Sequence, residues 1–501
     1  MSLSAAFNII NTAFVANAGQ SAVISRNISN AGTKGYSREI ANLATIASGG
    51  VEVASVGREA NAALLEQVNT STSQAAYQQA LSGGLTTLAQ TVSDSSSATS
   101  TSGAEANGNS PSAMLANLQS ALETYDASPT STSAAQGVVT AAGDLVGSLN
   151  TGAAAVQSVR ETADSDMASA VKSINSLLTQ FTSINATIMS GTAAGADVSS
   201  AQDTRDSILT QLSQQIGIST VANPDGSTSI YTDSGVTLFQ GGSPRTVSFT
   251  ATATYTDSST GNAVMVDGVP ITGSSSPMAI QSGALAGLAN LRDVVAPQYS
   301  AQLDQIASGL ISAFAESDQT GSATPAATLP GVFTFPGATS VPAITATTGL
   351  ASEIEVNAAV DPSQGGNVNL LRDGGINGSA YVYNRTTPPP ASYTGRITQL
   401  ISATTANQTF GGTTGLGTSS SLSDYANSSV SWLQSQNQQA SNQLDYQNSL
   451  VSQATTAASN ATGVNLDTEM TNMLTIENSY TTTAKLLTTV NAMFSALLNA
   501  V

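Results

Sequence analysis

The stretch NLDTEMTNMLTIENSYTTTAKLLTTVNAMFSALLNAV, residues 465–501, ends the sequence with an amphipathic pattern. Its apolar residues recur three, four or seven positions apart, at Leu466, Met470, Met473, Tyr480, Ala484, Leu487, Phe494, Leu498 and Val501. This spacing predicts one long helix with an apolar stripe. Asn465 is the predicted N-cap, and Asp467 and Glu469 place negative charge in the first turn, where the helix dipole favours it.

A similar stripe begins the sequence. It contains Leu3, Phe7, Ile10 and Phe14, resumes at Ile24 and Ile28, and carries the polar residues Asn17 and Ser21 in between. A helix of about 27 residues spans roughly 40 Å, which is longer than one globular domain requires. Such a stripe usually packs on the protein's own core. The alternative, that the two terminal helices pair with each other and with neighbouring subunits, is not decided by the pattern alone.

The composition excludes several functional classes. The 501 residues suggest about three domains, and only 9% of them are charged, against about 25% in ordinary soluble domains. The chain has no histidine and no cysteine, which removes disulfides, thiolate and imidazole metal sites, and His-dependent catalytic triads. A net charge of −19 disfavours binding to nucleic acid. We therefore expect no cofactor, no metal, no catalytic residues and no nucleic-acid partner.

The sequence also bears on membranes and export. The first basic residue is Arg26, and asparagines interrupt the apolar positions before it, so we expect no cleaved Sec signal peptide. Apolar runs of 18 residues or more are absent from the sequence. We therefore expect no membrane insertion.

Helical and extended patterns alternate along the chain in an orderly way. Helices are predicted over residues 3–30, 59–92, 114–122, 138–149, 153–190, 199–216, 283–316 and 420–459, besides the final one. Extended segments are predicted for a hairpin over 36–58, a hairpin around Asn223–Gly226, and strands at 236–239, 246–255 and 264–272, the last with a tight turn at Asp267-Gly268. Residues 93–110 are expected to form a flexible loop, and residues 317–395 to be irregular or β.

These patterns predict a mainly α fold with inserted β structure. If the two terminal helices pair with each other, the discontinuous N- and C-terminal segments would form a coiled-coil-like helical layer, next to a helical rod domain and outer β-rich domains. The predicted division is residues 1–58 with 460–501 for the terminal layer; 59–216 with 283–316 and 400–459 for the rod; 217–282 for a β-rich outer domain; and 317–399 for an irregular or β insertion.

The segment NISNAGTKGYSR, residues 27–38, contains two glycines and a lysine. A phosphate-binding loop is excluded because none of the three lysines of the chain follows a glycine, as that motif requires. The expected structure is a helix end followed by a turn, with Gly35 at positive φ.

Acidic residues cluster at Glu161, Asp164 and Asp166 and at Asp203 and Asp206. Carboxylates on polar helix faces are usually solvated, and that is the expectation here. A hydrolase that uses the β-region carboxylates Asp225, Asp233 or Asp257 stays open as an alternative, although no pairing is visible in the sequence.

The segment 27–38 resembles the N-terminal signature of bacterial flagellar rod, hook and hook-associated proteins, and its ending Gly35-Tyr36-Ser37-Arg38 is similar to the hook-associated protein 1 family. The stretch 463–467 with the final helix resembles the C-terminus of that family, and segments 205–209 and 287–293 are similar to its middle part. Gly32 and Lys34 depart from the pattern, since Asn and Pro are more frequent there, and so does Thr468, where an acidic residue is common.

The resemblance implies a structural role at the junction between the flagellar hook and filament, reached by type III export without a cleaved signal peptide. It implies self-assembly through the terminal stripes, Leu3, Phe7, Ile10, Phe14, Ile24, Ile28, Leu466, Met470, Met473, Tyr480, Leu487, Phe494 and Leu498. The family motif corresponds to Asn27, Asn30, Gly32, Gly35, Tyr36, Ser37 and Arg38.

The same resemblance implies several partners. They are other copies of the chain, the hook protein, the second junction protein or the filament side, and an export chaperone on the C-terminal helix, where Met470, Met473 and Met493 would provide an adaptable surface. The alternatives are a secreted adhesin or surface-layer protein and another flagellar axial protein.

Overall fold

A computed structural model describes residues 3–47, 49–93, 108–273, 275–345 and 348–499. The loop expected over residues 93–110 lies almost wholly outside these residues, and so does Val501 of the C-terminal stripe. Within the described ranges, no helix combines the length and the apolar character that crossing a bilayer requires.

Helices make up most of the described chain. Side-chain caps begin several of them: Ser110 accepts a hydrogen bond from the Ala113 amide at 3.1 Å, and Ser131 accepts one from the Ala134 amide at 3.2 Å, as short polar N-cap residues do. The helices are α1 (Leu3–Asn30), α2 (Ala62–Ala89), α3 (Pro111–Ala127), α4 (Thr132–Ala193), α5 (Ser199–Gln215), α6 (Ala284–Asn290), α7 (Ala296–Ala313), α8 (Leu350–Glu353), α9 (Leu370–Asp373), α10 (Gly395–Thr405), α11 (Leu422–Thr462) and α12 (Leu466–Asn499).

The prediction of two helices over 138–149 and 153–190 is wrong, because α4 is one continuous helix of 62 residues. Gly152, which lies between the two predicted helices, is buried within it. A Cβ atom at Gly152 would lie 3.0 Å from Leu303 Cδ1 of α7. The glycine therefore allows two helices to approach closely and does not end one of them.

The strands form five small antiparallel sheets. Strands β1 (Glu39–Thr45) and β2 (Val51–Arg58) make the predicted N-terminal hairpin, with a register shift between Asn42 and Leu43. The other sheets are β3 (Ile218–Ala222), β4 (Thr228–Thr232), β5 (Thr237–Gln240) and β6 (Ser243–Pro244); β7 (Val247–Ser248), β8 (Met265–Val266) and β9 (Val269–Pro270); β10 (Phe333–Thr334) with β11 (Glu355–Val356); and β12 (Asn407–Thr409) with β13 (Ser419–Ser421).

The strand predicted over 246–255 is mostly wrong, since only Val247–Ser248 pairs as a strand. The residues after it are held by side chains of neighbouring elements: the Thr252 amide donates to Asp164 Oδ2 at 2.6 Å, and Arg160 donates to the Thr256 carbonyl at 3.2 Å. The predicted hairpin turns are present, with Gly226 at φ 82° and Gly268 at φ 83°.

One continuous hydrophobic core joins the central helices to the sheets of residues 218–270 and to residues 332–371. It runs along the chain from Leu85 to Ala440, and the buried residues of α1 and α12 lie outside it. The predicted fold class, mainly α with inserted β structure, is confirmed. The terminal helices are therefore held by contacts of their own.

Candidate assembly interface

Helices α1 and α12 pack against each other as an antiparallel pair. The ring of Phe14 meets the ring of Tyr480 edge to face at a centroid distance of 4.9 Å. Farther along α1, Ser21 Oγ donates to Met473 Sδ at 3.7 Å. Residue numbers rise along one helix as they fall along the other, so the two ends of the sequence form one helical layer.

The two polar residues that interrupt the N-terminal stripe both find partners on α12. The Asn17 side chain exchanges hydrogen bonds with the Ser479 hydroxyl, with Nδ2 to Oγ at 3.2 Å, and Ser21 contacts Met473. Partly buried polar pairs in a helical seam contribute little net stability but are satisfied in only one register. These residues therefore align α12 on α1.

The hairpin β1–β2 covers a second side of α1. The Val51 amide donates to Thr12 Oγ1 at 3.4 Å. A Cβ atom at Gly19 would lie 2.9 Å from Val53 Cγ2, so this glycine lets the strand approach the helix. The N-terminal helix is thereby held between α12 and the hairpin.

Asn27, at the end of α1, is completely buried and uses its whole amide group. Its Nδ2 donates to the Glu39 carbonyl at 2.9 Å and to Glu469 Oε2 at 3.1 Å. Its Oδ1 accepts from the Glu39 amide at 2.8 Å and from the Tyr36 hydroxyl at 2.9 Å. One side chain therefore joins α1, the following turn, β1 and α12.

Glu469, in the first turn of α12, is the centre of the polar contacts. Its carboxylate is 1% exposed and accepts from Arg38 Nε at 2.7 Å, besides the bond from Asn27. Breaking a buried ion pair by removing one partner costs about 3–5 kcal/mol, and less where the remaining charge is hydrated. Arg38 is 26% exposed, so the lower end of that range applies.

Tyr36 completes this cluster, and Arg26 lies at its edge. Arg26 pairs with Glu39 at 2.6 Å, and burial together with the Glu39 charge raises the pKa of Tyr36 to about 12. The Tyr36 hydroxyl therefore stays protonated at neutral pH and donates to Asn27. We call Asn27, Tyr36, Arg38, Glu39 and Glu469 the polar latch.

Arg58, at the end of β2, links the latch region to the central helices. It pairs with Asp203 and with Asp206 of α5, each at 2.6 Å, and the Ser37 amide donates to Asp203 at 3.0 Å. Burial raises the pKa of Asp206, and the Arg58 charge opposes that rise. The expectation that these two carboxylates are solvated is wrong, because their partner comes from a strand about 145 positions earlier.

A second buried ion cluster lies on α4. Asp164 pairs with Arg292 at 2.6 Å, and both side chains are almost fully buried. Arg292 lies in a π-helical turn, Leu291–Val295, and also pairs with Asp293 at 2.7 Å. Asp164 was expected to be solvated and is not, whereas Glu161 and Asp166 are exposed as expected. This cluster holds residues 252–262 against the central helices.

The residues of the terminal stripes do not all face the partner helix. Ile10 and Ile24 are buried, and those half-buried in the pair are Leu3, Phe14, Ile28, Met473 and Leu487. The largely exposed ones are Phe7, Leu466, Met470, Tyr480, Phe494 and Leu498. Tyr480 still contacts Phe14. The single chain thus leaves many apolar side chains of α12 uncovered.

Four exposed apolar residues lie in the last two turns of α12, and two of them, Phe494 and Leu498, belong to the stripe. Met493, Phe494, Leu497 and Leu498 are from 42% to 70% exposed, and we call them the apolar tip. The register set by Phe14 and Tyr480 places them at or beyond the position opposite Leu3, the first described residue of α1.

The residues of the family motif, within 27–38, differ in the contacts that they make. Asn27, Tyr36, Ser37 and Arg38 enter the contacts described above. Gly35 has φ 85°, as its turn requires. Asn30 bonds to the Arg26 carbonyl and to Thr33, and Gly32 has open space around it.

Sequence reasoning missed Ile476, Glu469 as a buried anion, and Arg58. Ile476 is the most buried apolar residue of α12 and lies seven positions from both Glu469 and Thr483. A strict search for a seven-residue period would have found it. Arg58 carries no local signal, because its partners are distant in sequence.

The carboxylates of the hydrolase alternative serve local structure. Asp225 accepts from the Ser227 amide in its own turn, Asp233 accepts from the Ser282 hydroxyl at 2.8 Å, and Asp257 accepts from Gln157 at 2.6 Å. Across the described ranges, no three acidic side chains gather as a metal site would require. Asp225, Asp233 and Asp257 therefore take part in packing and alignment.

Comparison with known proteins agrees with this arrangement. Residues 98–328 match the family model of the flagellar hook-associated protein FlgK helical domain, and residues 456–500 match that of the flagellar basal body rod FlgEFG protein C-terminal region. Together the two matches cover more than half of the chain.

Individual relatives carry similar names. Flagellar hook-associated protein 1 of Salmonella typhimurium is 25% identical over 319 residues, 60% of this chain and 54% of the relative, and that of Escherichia coli is 26% identical over 323 residues, 61% and 56%. The chain spans about half the length of these relatives. The flagellar hook junction protein FlgK from Burkholderia pseudomallei aligns with a TM-score of 0.42 at 20% identity, over 54% of this chain and 46% of that one.

The family models match both the central helices and α12, and the matched relatives are hook-associated proteins. These matches support a FlgK-like chain, similar in its central helices and in α12 to flagellar hook-associated proteins.

Proposed function

We propose that this chain is a structural subunit of the bacterial flagellum that joins the hook to the filament. Its partners would be other copies of itself, the hook protein on one side, and the second junction protein or the filament on the other. The names of the matched relatives support the hook assignment.

One observation carries the mode of assembly. Helices α1 and α12 contribute nothing to the core of the central helices, yet they carry a row of exposed apolar side chains. Exposed apolar surface of this kind is characteristic of interaction sites. Neighbouring copies would cover it, and the chain would assemble through its two ends.

The central helices would fold without the terminal pair. Their core runs from Leu85 to Ala440 and includes no residue of α1 or α12. We expect removal of residues 1–30, or of residues 464–501, to leave cooperative unfolding of the central part in place and to abolish incorporation into flagella. Normal incorporation of either truncated chain would contradict the proposal.

The role itself is tested in a strain that lacks the gene for this chain. We expect electron microscopy to show hooks without filaments, and the full-length chain to restore filaments. Filaments in the deletion strain would refute the junction role. Loss of surface attachment with normal motility would instead support the adhesin alternative.

Substitution in the same strain separates assembly from folding. Met470 and Leu474 are exposed on α12, and Tyr446 is equally exposed on α11. We expect Met470→Ser with Leu474→Ser to fail to restore filaments and the control Tyr446→Ser to restore them. Equal complementation by both would contradict assembly through α12.

The chaperone and the export route are further parts of the proposal. A cytoplasmic chaperone would bind α12 through Met470 and Met473, and an unchanged affinity of the Met470→Ser, Met473→Ser double variant would contradict this. Export without a cleaved signal peptide predicts that subunits shed from the cell surface retain the N-terminal residues, which mass spectrometry of the intact subunit measures.

A further inference from the structure

The facing stripes of α1 and α12 both repeat every seven residues. On α1 they are Leu3, Ile10, Asn17 and Ile24 beside Phe7, Phe14, Ser21 and Ile28; on α12 they are Glu469, Ile476, Thr483 and Val490 beside Met473, Tyr480, Leu487 and Phe494. A strict heptad repeat presents similar apolar surface after a shift of one heptad. Apolar contact alone therefore permits more than one register.

The observed register leaves apolar surface uncovered at one end. With Phe14 beside Tyr480, Leu3 falls opposite residues 491–493, and Phe494 and Leu498 extend the stripe past it while 42% and 70% exposed. A shift of α1 by one heptad, about 10 Å along the axis, would bring Leu3 and Phe7 to these two residues. Hydrophobic burial by itself would favour the shifted register.

Chain connectivity does not prevent the shift. Residues 31–38 connect α1 to β1 through turns, and eight residues span up to about 27 Å when extended. In the shifted register the amide bonds of Asn27 to Glu39, Tyr36 and Glu469 would all break. The packing of α1 on the β1–β2 hairpin, at Thr12 and Gly19, would have to slide as well. Asn27 is therefore the polar contact that opposes the shift, beside the contacts with the hairpin.

Glu469 would also lose a hydrogen-bond partner in the shifted register. Its carboxylate is 1% exposed, and Asn27 is one of its two side-chain donors. The bonds from Asn17 to Ser479 and from Ser21 to Met473 would break as well. Buried polar groups that lose their partners carry the full cost of desolvation, so the polar contacts oppose the register that the apolar contacts favour.

We propose that the polar latch holds α1 one heptad short of the apolar tip and thereby keeps Phe494 and Leu498 uncovered for a second copy of this chain. Asn27 and Glu469 are positioning residues in this scheme. The identity of the occupant rests on the proposed function, whereas the register is a property of the single chain. The stripe of α12 that faces α1 continues by one heptad, from Leu487 to Phe494, into the apolar tip. This continuation indicates that the second copy covers the tip with a helix.

Disulfide trapping in the purified full-length chain tests the register, because the chain has no cysteine of its own. The pair Ser21→Cys with Met473→Cys reports the observed register, because the native Ser21 and Met473 side chains are in contact. The same Met473→Cys is combined with Ile28→Cys to report the shifted register, since Ile28 lies seven residues from Ser21. Yields after mild oxidation are compared by gel mobility and mass spectrometry.

With the latch intact, we expect the Ser21–Met473 pair to crosslink and the Ile28–Met473 pair not to. In the Asn27→Ala or Glu469→Ala background, we expect the yield of the shifted pair to rise by about tenfold or more, because several buried hydrogen bonds no longer oppose the shift. The matched controls Asn8→Ala and Glu477→Ala, exposed on the same helices, should change neither yield. An unchanged ratio in the latch variants, or a variant in which neither pair crosslinks, overturns the proposal.

A second pair of substitutions tests the reason for the shift. Phe494→Ser with Leu498→Ser, added to Asn27→Ala, should restore the observed register because the shift then gains no apolar burial. With the latch intact, the same tip substitutions should leave the crosslinks unchanged and reduce incorporation into flagella. Normal incorporation would overturn the second copy as occupant, and a persistent shift in the triple variant would overturn the apolar tip as its cause.

Discussion

Replacement of Glu469 by alanine gives the most direct measure of what holds α12 on α1. The substitution removes a hydrogen-bonded ion pair with Arg38 at 2.7 Å and leaves Asn27, which is fully buried, without one acceptor. A hydrogen bond to a charged group contributes about 1.5–3 kcal/mol, and a buried donor left without a partner costs about 1–3 kcal/mol. Partial hydration of Arg38 offsets part of the loss, so we expect α12 to be released about 3 kcal/mol more easily.

Hydrogen exchange with mass spectrometry measures this release. About 1.4 kcal/mol corresponds to a tenfold change, so amides of residues 470–485 should lose protection about 100-fold in Glu469→Ala. Peptides from α4, which belongs to the separate core, should exchange as before. Glu469→Gln retains the acceptor for Asn27 but loses the charge, and we expect an intermediate loss.

A double-mutant cycle with Arg38→Ala isolates the ion pair from the other contacts. If the ion pair holds α12 on α1, Glu469→Ala should reduce the free energy of releasing α12 by about 1–2 kcal/mol less in the Arg38→Ala background than in the native chain. A protection change below about threefold in Glu469→Ala, or no coupling between the two substitutions, would refute the view that polar contacts hold the pair.

Three further predictions concern the central helices. Burial raises the pKa of Asp304 to about 6, so the folded state binds a proton at Asp304 more tightly than the unfolded state does. The free energy of unfolding of the native chain, measured relative to that of Asp304→Asn, should therefore fall by at most about 3 kcal/mol between pH 4 and pH 6 and stay constant at higher pH. Gly287→Ala should destabilise by about 1–3 kcal/mol in urea titration, because its Cβ would clash with the Tyr77 carbonyl oxygen. Arg292→Met should cost about 3–5 kcal/mol in the same assay because it leaves Asp164 buried without its cation, and removal of both charges together should cost less.

Much of the secondary structure follows from local pattern. The seven-residue and three-to-four-residue spacings predicted α1, α2, α5, α11 and α12, and the Asn-Pro-Asp-Gly turn predicted the hairpin of β3 and β4. These features depend on residues a few positions apart, which the sequence displays directly. The local pattern gave a wrong prediction inside α4, where it predicted two helices. The glycine between them, Gly152, packs against Leu303, which lies about 150 positions away in the sequence.

The pairing of α1 with α12 could be predicted only in outline. Apolar spacing identified the two terminal stripes and Asn17 and Ser21 as polar residues within them. It did not say which apolar residues face the partner helix, and Leu466 and Met470 prove to be exposed. The face that is covered depends on how two distant helices meet, and no local pattern contains that information.

The sequence by itself determined that both ends of this chain are amphipathic helices, that it lacks the residues for thiol or imidazole chemistry, and that a short motif follows the first helix. Only the tertiary structure decided that Asn27, Arg38 and Glu469 meet in one buried cluster, and that α12 extends an uncovered apolar tip. The physical reason is that apolar periodicity specifies which surface is buried but repeats every heptad, whereas buried polar groups are satisfied in a single alignment. That alignment joins residues more than 400 positions apart and exists only in the folded chain.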